Sequence, residues 1–186
     1  MVNPCLKTVH GANAKSARRH VAAKNGFLGA YKETMSFAFV AEATLGKLAK
    51  WLRIIGFDTI YAPKNLAKAL MGTNGKPRIY LTRTRRMTCM GKTPTCIFIV
   101  SDDPFEQLKE VIDAVDMMPE DVKPFSRCIR CNISIRQVDK TYVRGLVPEY
   151  ILETQHIFQT CTGCGRIYWP GTHAERSREV IKKLFE

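Results

Sequence analysis

Acidic side chains are scarce in this 186-residue sequence: 17 Asp and Glu stand against 29 Lys and Arg, a formal net charge of +12. None falls among the first 32 residues, Glu33 being the first. A surplus of that sign favours a polyanionic partner, nucleic acid before an anionic membrane surface. Long apolar runs are missing as well. The best, Cys96-Ile97-Phe98-Ile99-Val100, is strand-sized, whereas a membrane span needs 18 or so residues, so no membrane partner is expected. No internal repeat is present. An even-numbered disulfide framework is lacking too, because the chain has seven cysteines. What remains is ample for a packed core, with 45% hydrophobic and 25% charged residues, which excludes wholesale disorder.

Four of the cysteines form two knuckles, Cys128-x2-Cys131 and Cys161-x2-Cys164. Each Cys-x2-Cys turn aims two thiolates at one ion, and two such turns complete a tetrahedral S4 shell of the kind Zn²⁺ prefers. All four positions are then filled by protein, so the zinc is expected to be structural. Paired knuckles of this kind point to a reducing compartment, the cytoplasm or an organellar matrix. Cys5, Cys89 and Cys96 are scattered and read as ordinary small apolar residues. His156 and His173 are not needed as ligands beside four thiolates. Arg127, Arg130, Arg136, Lys140 and Arg144 decorate the ribbon and read either as phosphate contacts or as solvated surface charge.

Residues 1–35 form a basic, acid-poor arm carrying Arg18 and Arg19, with too little apolar content for a core. Two readings stay open: an organellar transit peptide or an arm that lies on RNA. From Ser36 the pattern becomes α/β. Ser36–Ala41 reads as a buried strand. Thr44–Ile55 reads as a helix with Leu45, Leu48, Ala49, Leu52 and Ile55 on one face, Lys47, Lys50 and Arg53 opposite, and Gly56 at its stop. Strands are expected at Asp58–Tyr61, Ile79–Thr82 and Cys96–Val100, and a short helix at Leu66–Met71. Gly72–Pro77 reads as a turn cluster, and Arg83–Arg86 as a basic segment. Asp103-Pro104-x-Glu106 has the form of a helix cap, opening a helix through Leu108, Val111, Ile112 and Val115.

Strands alternating with helices imply a small parallel sheet. Ligands then gather beyond the carboxyl ends of the strands, which singles out Glu42, Asp58, Thr84, Asp102 and Asp103. Pro119–Pro124 reads as a linker, Asn132–Val138 as one arm of a ribbon, and about His173–Phe185 as a closing helix. The expected division is an arm (1–35), an α/β domain (36–118), a zinc ribbon (119–172) and a C-terminal helix (173–186).

Specific strings carry a family resemblance. Phe39-Val40-Ala41-Glu42-Ala43-Thr44-Leu45-Gly46-Lys47-Leu48-Ala49-Lys50-Trp51-Leu52-Arg53-Ile54-Ile55-Gly56-Phe57-Asp58-Thr59 resembles the opening of the Mut-seven C-terminal RNase domain family. So do Ile79-Tyr80-Leu81-Thr82-Arg83, Ser101-Asp102-Asp103, the ribbon from Pro124-Phe125-Ser126-Arg127-Cys128, and the tail Cys161-Thr162-Gly163-Cys164-Gly165-Arg166-Ile167-Tyr168-Trp169 followed by Gly171-Thr172-His173. The resemblance covers about Ser36 to Arg176. It implies a PIN-like nuclease fold, a small parallel sheet flanked by helices, with an appended zinc ribbon. It also implies a rim of three or four carboxylates holding one or two Mg²⁺ or Mn²⁺ ions that activate water on a phosphodiester.

Two positions depart from the family pattern. Glu42 stands where the first strand ends in Asp, and Thr84 stands where a second Asp follows Thr-Arg. Glu42, Asp102 and Asp103 are the catalytic candidates, and Lys47, Lys50, Arg53, Arg83, Arg85, Arg86, Arg18 and Arg19 the candidate RNA contacts. Two functions follow: a catalytically impaired RNA-binding component of a ribonucleoprotein, or an active Mg²⁺- or Mn²⁺-dependent ribonuclease.

Overall fold

Strand β1 (Ala38–Ala41) alternates its side chains between two buried environments, and that alternation sets the layering. Phe39 and Ala41 enter the larger core, with Leu48, Leu52, Leu81, Leu108 and Val111, while Val40 enters a smaller one with Ala69 and Tyr80. A strand buried on both faces belongs at the centre of a parallel sheet. In this computed structural model, which describes residues 37–71, 77–84 and 96–186, β1 lies between β2 (Asp58–Tyr61) and β3 (Ile79–Thr82), with β4 (Cys96–Phe98) beyond β3. All three pairings are parallel. The arm at 1–35 with Arg18 and Arg19, the turn cluster at 72–76, and Arg85, Arg86 and Cys89 lie outside the described residues.

A 3-10 turn (Ala43–Leu45) and helix α1 (Gly46–Ile54) follow β1. Leu45, Leu48, Ala49 and Leu52 fill the core, while Lys47 and Lys50 stay exposed, as their spacing predicts. Arg53 departs from that expectation: it is only 9% exposed. The reason is geometric. Positions three apart fall about 60° short of a full turn, so Arg53 lies roughly 120° around the helix from Lys47. Its guanidinium is committed to main-chain carbonyls, Nε and Nη2 donating to Thr59 O (3.0 and 2.8 Å) and Nη1 to Ile129 O and Arg130 O (2.8 and 3.1 Å). The phosphate contact expected of Arg53 is therefore replaced by a structural one.

The carbonyls of Ile129 and Arg130 are those of the two residues inside the first cysteine knuckle. Arg53 thus clamps the knuckle onto the α/β sheet, and other bonds reinforce the seam. Asn132 Oδ1 accepts from Thr59 N (2.9 Å), and its amide donates to Asp58 Oδ1 (2.6 Å). Arg127 donates from Nε to Gly56 O (3.0 Å) and from Nη1 to Asn132 O (2.8 Å). Gly56 has φ +105°, and a Cβ there would sit 2.4 Å from Lys123 O. It both ends α1 and lets the chain at Lys123 press backbone to backbone against it.

Pro119–Pro124, expected as a linker, is instead pinned to the sheet domain. It opens in a 3-10 turn (Pro119–Asp121), Lys123 N and Phe125 N bond Ile55 O and Ile54 O (3.0 and 2.8 Å), and Val122 packs on the main core. Helix α2 (Leu66–Met71) covers the smaller core, and α3 (Pro104–Ala114) the larger.

The ribbon is an antiparallel sheet of β5 (Ile135–Val138), β6 (Phe158–Cys161) and β7 (Ile167–Tyr168). Between β5 and β6 the chain does not continue as strands. It forms α4 (Lys140–Val143) and α5 (Glu149–Thr154), whose Val143, Ile151 and Leu152 bury with Phe158. Helix α6 (Thr172–Lys183) returns to the main core through Ile181, and Leu184 just after it joins the same core. Residues 36–186 cluster as one compact unit.

Candidate functional site

Strand order β2-β1-β3-β4 reverses direction between β1 and β3, and crevices of parallel sheets form beyond the carboxyl ends at such a point. Glu42 is the first residue after β1 and Arg83 the first after β3. The ladder extends to Glu42 itself, whose N–H donates to Leu81 O at 3.1 Å. Its side chain is held between the strands. Oε1 accepts from Thr44 Oγ1 (2.5 Å) and Arg83 N (2.7 Å), and Oε2 from Thr82 Oγ1 (2.5 Å) and Thr84 Oγ1 (3.1 Å). Burial pushes the Glu42 carboxyl up, but the bonds from Thr44, Thr82, Arg83 and Thr84 outweigh it and hold it below its ordinary value of 4.5. It is a carboxylate at neutral pH.

The other acids of the rim have partners as well. Asp102 pairs with Arg83, Oδ1 to Nη1 at 2.5 Å. Asp103 caps α3, its Oδ1 accepting from Phe105 N (2.9 Å) and Glu106 N (3.1 Å), with Pro104 at the first helical position and Glu106 in the first turn. Asp58, expected on the rim, instead begins β2 opposite Ala38, at the amino edge of the sheet, where it bonds Arg78 (2.7 Å) and Asn132. Among the described residues, the four cysteines are the one group of three or more His, Cys, Asp or Glu side chains close enough to share an ion. Glu42, Asp102 and Asp103, expected to cluster, do not group among the described residues: hydroxyls, an arginine and a helix N-terminus each hold a different carboxylate. This donor arrangement does not fit a Mg²⁺ or Mn²⁺ site, which needs carboxylate oxygens turned toward one point.

What the rim does offer is a cleft of about 520 Å³ lined by Lys47, Lys50, Arg83, Tyr61, Asp102 and Gln107, among others. Three of its charged groups that reach solvent are cations, and one, Asp102, is an anion already paired to Arg83. The loop forming its far wall is fixed from α3: Glu110 accepts from Val100 N and Ser101 N (2.8 Å each), and Gln107 donates to Ser101 O (2.9 Å). Sequence patterns pointed to Lys47, Lys50 and Arg83 but passed over Thr82, Tyr61, Gln107 and Glu110. Thr82 lies within the Ile79–Arg83 string, and its buried position at the end of β3 is the signal that could have marked it.

The metal centre joins the two ends of the ribbon. All four Sγ atoms lie within 4.8 Å of one another, with Cys128 and Cys161 buried and Cys131 and Cys164 half-buried. Cys128 and Cys164 are 3.7 Å apart, close to the ~3.8 Å edge of a tetrahedron with Zn–S bonds of about 2.3 Å. Burial pushes the Cys128 thiol up, but donation from Tyr168 Oη (3.1 Å) and Cys131 N (3.3 Å) more than offsets it and draws it down to about 6. Cys131, hydrogen-bonded to Cys164, partly desolvated and beside Cys128, is pushed up to about 12. Four sulfurs this close cannot all ionise alone; a thiophilic dication such as Zn²⁺ removes the repulsion. The residues fit such an ion, held by Cys128, Cys131, Cys161 and Cys164 in a closed, structural shell.

No curated protein and no solved structure matches the chain. A family model does, the Mut7-C RNAse domain, over residues 37–181. That span takes in the parallel sheet, the Glu42 rim, both cysteine knuckles and most of α6, the same parts that the geometry ties together. The chain therefore belongs to the Mut7-C RNase domain family.

Proposed function

We propose that this protein holds RNA without cutting it, as a component of a ribonucleoprotein. The observation that carries this reading is the saturation of Glu42. An ionised carboxylate has about four lone-pair sites, and Thr44, Thr82, Arg83 and Thr84 use four. A metal could be ligated there only by displacing one of these donors, and one of them, Thr84, stands where the family pattern has a second acid. Lys47, Lys50 and Arg83 in the adjacent cleft, with the net charge of +12, supply what phosphate contact needs. The reduced cysteine centre suits the cytoplasm or an organellar matrix.

Binding to RNA should weaken steeply with salt, with a log–log slope of several units, because each neutralised phosphate releases condensed counterions. The double variant Lys47→Ala/Lys50→Ala changes two exposed side chains and should leave the fold intact. Its slope should fall by roughly one to two units. Filter binding or fluorescence anisotropy over a salt series reads both. A flat response of the wild-type protein would remove the RNA reading.

A further inference from the structure

Tyr61 is an exposed aromatic residue on the wall of the basic cleft, with 43% of its surface open. The register pairs it with Ala41, one residue before Glu42, so it ends β2 level with the rim. Its ring is not free to swing. Oη donates to Ala43 O at 2.8 Å, and the ring edge packs over the start of α1, where a Cβ on Gly46 would lie 3.1 Å from Oη and 3.2 Å from Cζ. Gly46 leaves room for the ring, and the hydrogen bond fixes its plane. Lys47 and Lys50 follow on α1, one turn apart, and Arg83 lines the same cleft.

A pinned aromatic surface beside two or three cations is the arrangement by which proteins hold single strands, the base on the ring and the phosphates on the cations. The cleft, about 520 Å³, is open to solvent along one side, as a groove that a strand lies across must be. A duplex, by contrast, keeps its bases stacked and is read by shape across successive grooves.

We infer that the cleft takes a single-stranded RNA segment with one base stacked on Tyr61 and its flanking phosphates on Lys47, Lys50 and Arg83. This rests on the RNA-binding reading above. Removing the ring should cost roughly five- to a hundredfold in affinity, the range for one lost base stack, without changing the salt slope, since no cation is removed.

The test compares a 12-nucleotide oligouridine with a perfectly paired RNA hairpin, on wild-type protein, Tyr61→Leu and Tyr61→Trp, each loaded with zinc. Wild-type protein should prefer the single strand, and Tyr61→Leu should lose that preference while keeping its hairpin affinity and salt slope. Tyr61→Trp, which keeps an aromatic face but loses the Oη bond to Ala43, should still prefer the single strand, with fluorescence quenched by the oligomer beyond any quenching seen in wild-type protein, a readout that stands even if Tyr61→Leu folds poorly. Salt-dependent binding to both RNAs with equal affinity, or a Tyr61→Trp variant with no added quenching, overturns the stacking inference and leaves the RNA reading in place. No salt-dependent binding to either RNA removes both.

Discussion

Cys161→Ser should empty the metal centre and unfold the ribbon, leaving the four-stranded sheet in place. Hydrogen bonds of Arg53, Asn132 and Arg127 tie the first knuckle to the sheet, but the rest of the ribbon has little besides the metal to hold it. Its three strands are two to four residues long, and its own core is Val143, Ile151, Leu152 and Phe158 with four half-buried neighbours. Structural zinc contributes about 10–16 kcal/mol in small zinc modules, more than such a core supplies. Cys161 is buried and sits in β6, paired with Ile135, so its loss opens the metal shell and loosens the β5–β6 edge together. Metal analysis should find one zinc per wild-type chain and almost none in the variant. Near-ultraviolet circular dichroism from Tyr168 and Trp169 should collapse, while most far-ultraviolet signal persists. Retained zinc with an unchanged spectrum would refute the centre.

Arg53→Met should lower stability by about 3 kcal/mol, because removing the guanidinium leaves the buried carbonyl of Thr59 and those of Ile129 and Arg130 without their donors. For a chain of this length that is a fall of roughly 6–12 °C in melting temperature. Burial works against the charge on Arg53, and Cys128, Asp58 and Cys131 support it. Methionine fills similar volume but answers none of the three carbonyls. Arg53→Lys should rescue less than half, since a point charge cannot reach both sides of the seam as a planar fork does. The variant should also lose zinc faster to a chelator, because the knuckle carbonyls are no longer clamped. A melting temperature within 2 °C of wild type would show the seam to be incidental.

The parts of this architecture that were legible in the sequence are those set by local rules. The cap at Asp103-Pro104-x-Glu106, the apolar face of α1 and both cysteine knuckles depend on residues within one or two turns of each other, and they stand as their spacing implies. Glu42 was recognisable as a rim residue because it directly follows an apolar strand. Its partners were not, since Thr82 and Arg83 meet it from about 40 positions away only once β1 and β3 pair.

Arg53 shows the same limit more sharply. Its charge and spacing suit an exposed helix face, while the carbonyls that bury it come from 76 and 77 residues later. Tyr61 has no pattern around it at all; only the register of β2 against β1 puts it at the cleft. The α4–α5 insertion was not legible, because its two helices are only four and six residues long, too short to show a helical period, and the alternation just before them suggested a ribbon arm.

The most direct measurement is the fate of bound RNA. Zinc-loaded wild-type protein is incubated with single-stranded RNA and millimolar Mg²⁺ or Mn²⁺, alongside Glu42→Gln, and the RNA is resolved by length. With Glu42 tied to Thr44, Thr82, Arg83 and Thr84, the RNA should be recovered bound and full length in both reactions. Cutting that requires the added metal and disappears in Glu42→Gln would contradict the account and establish the chain as a working nuclease.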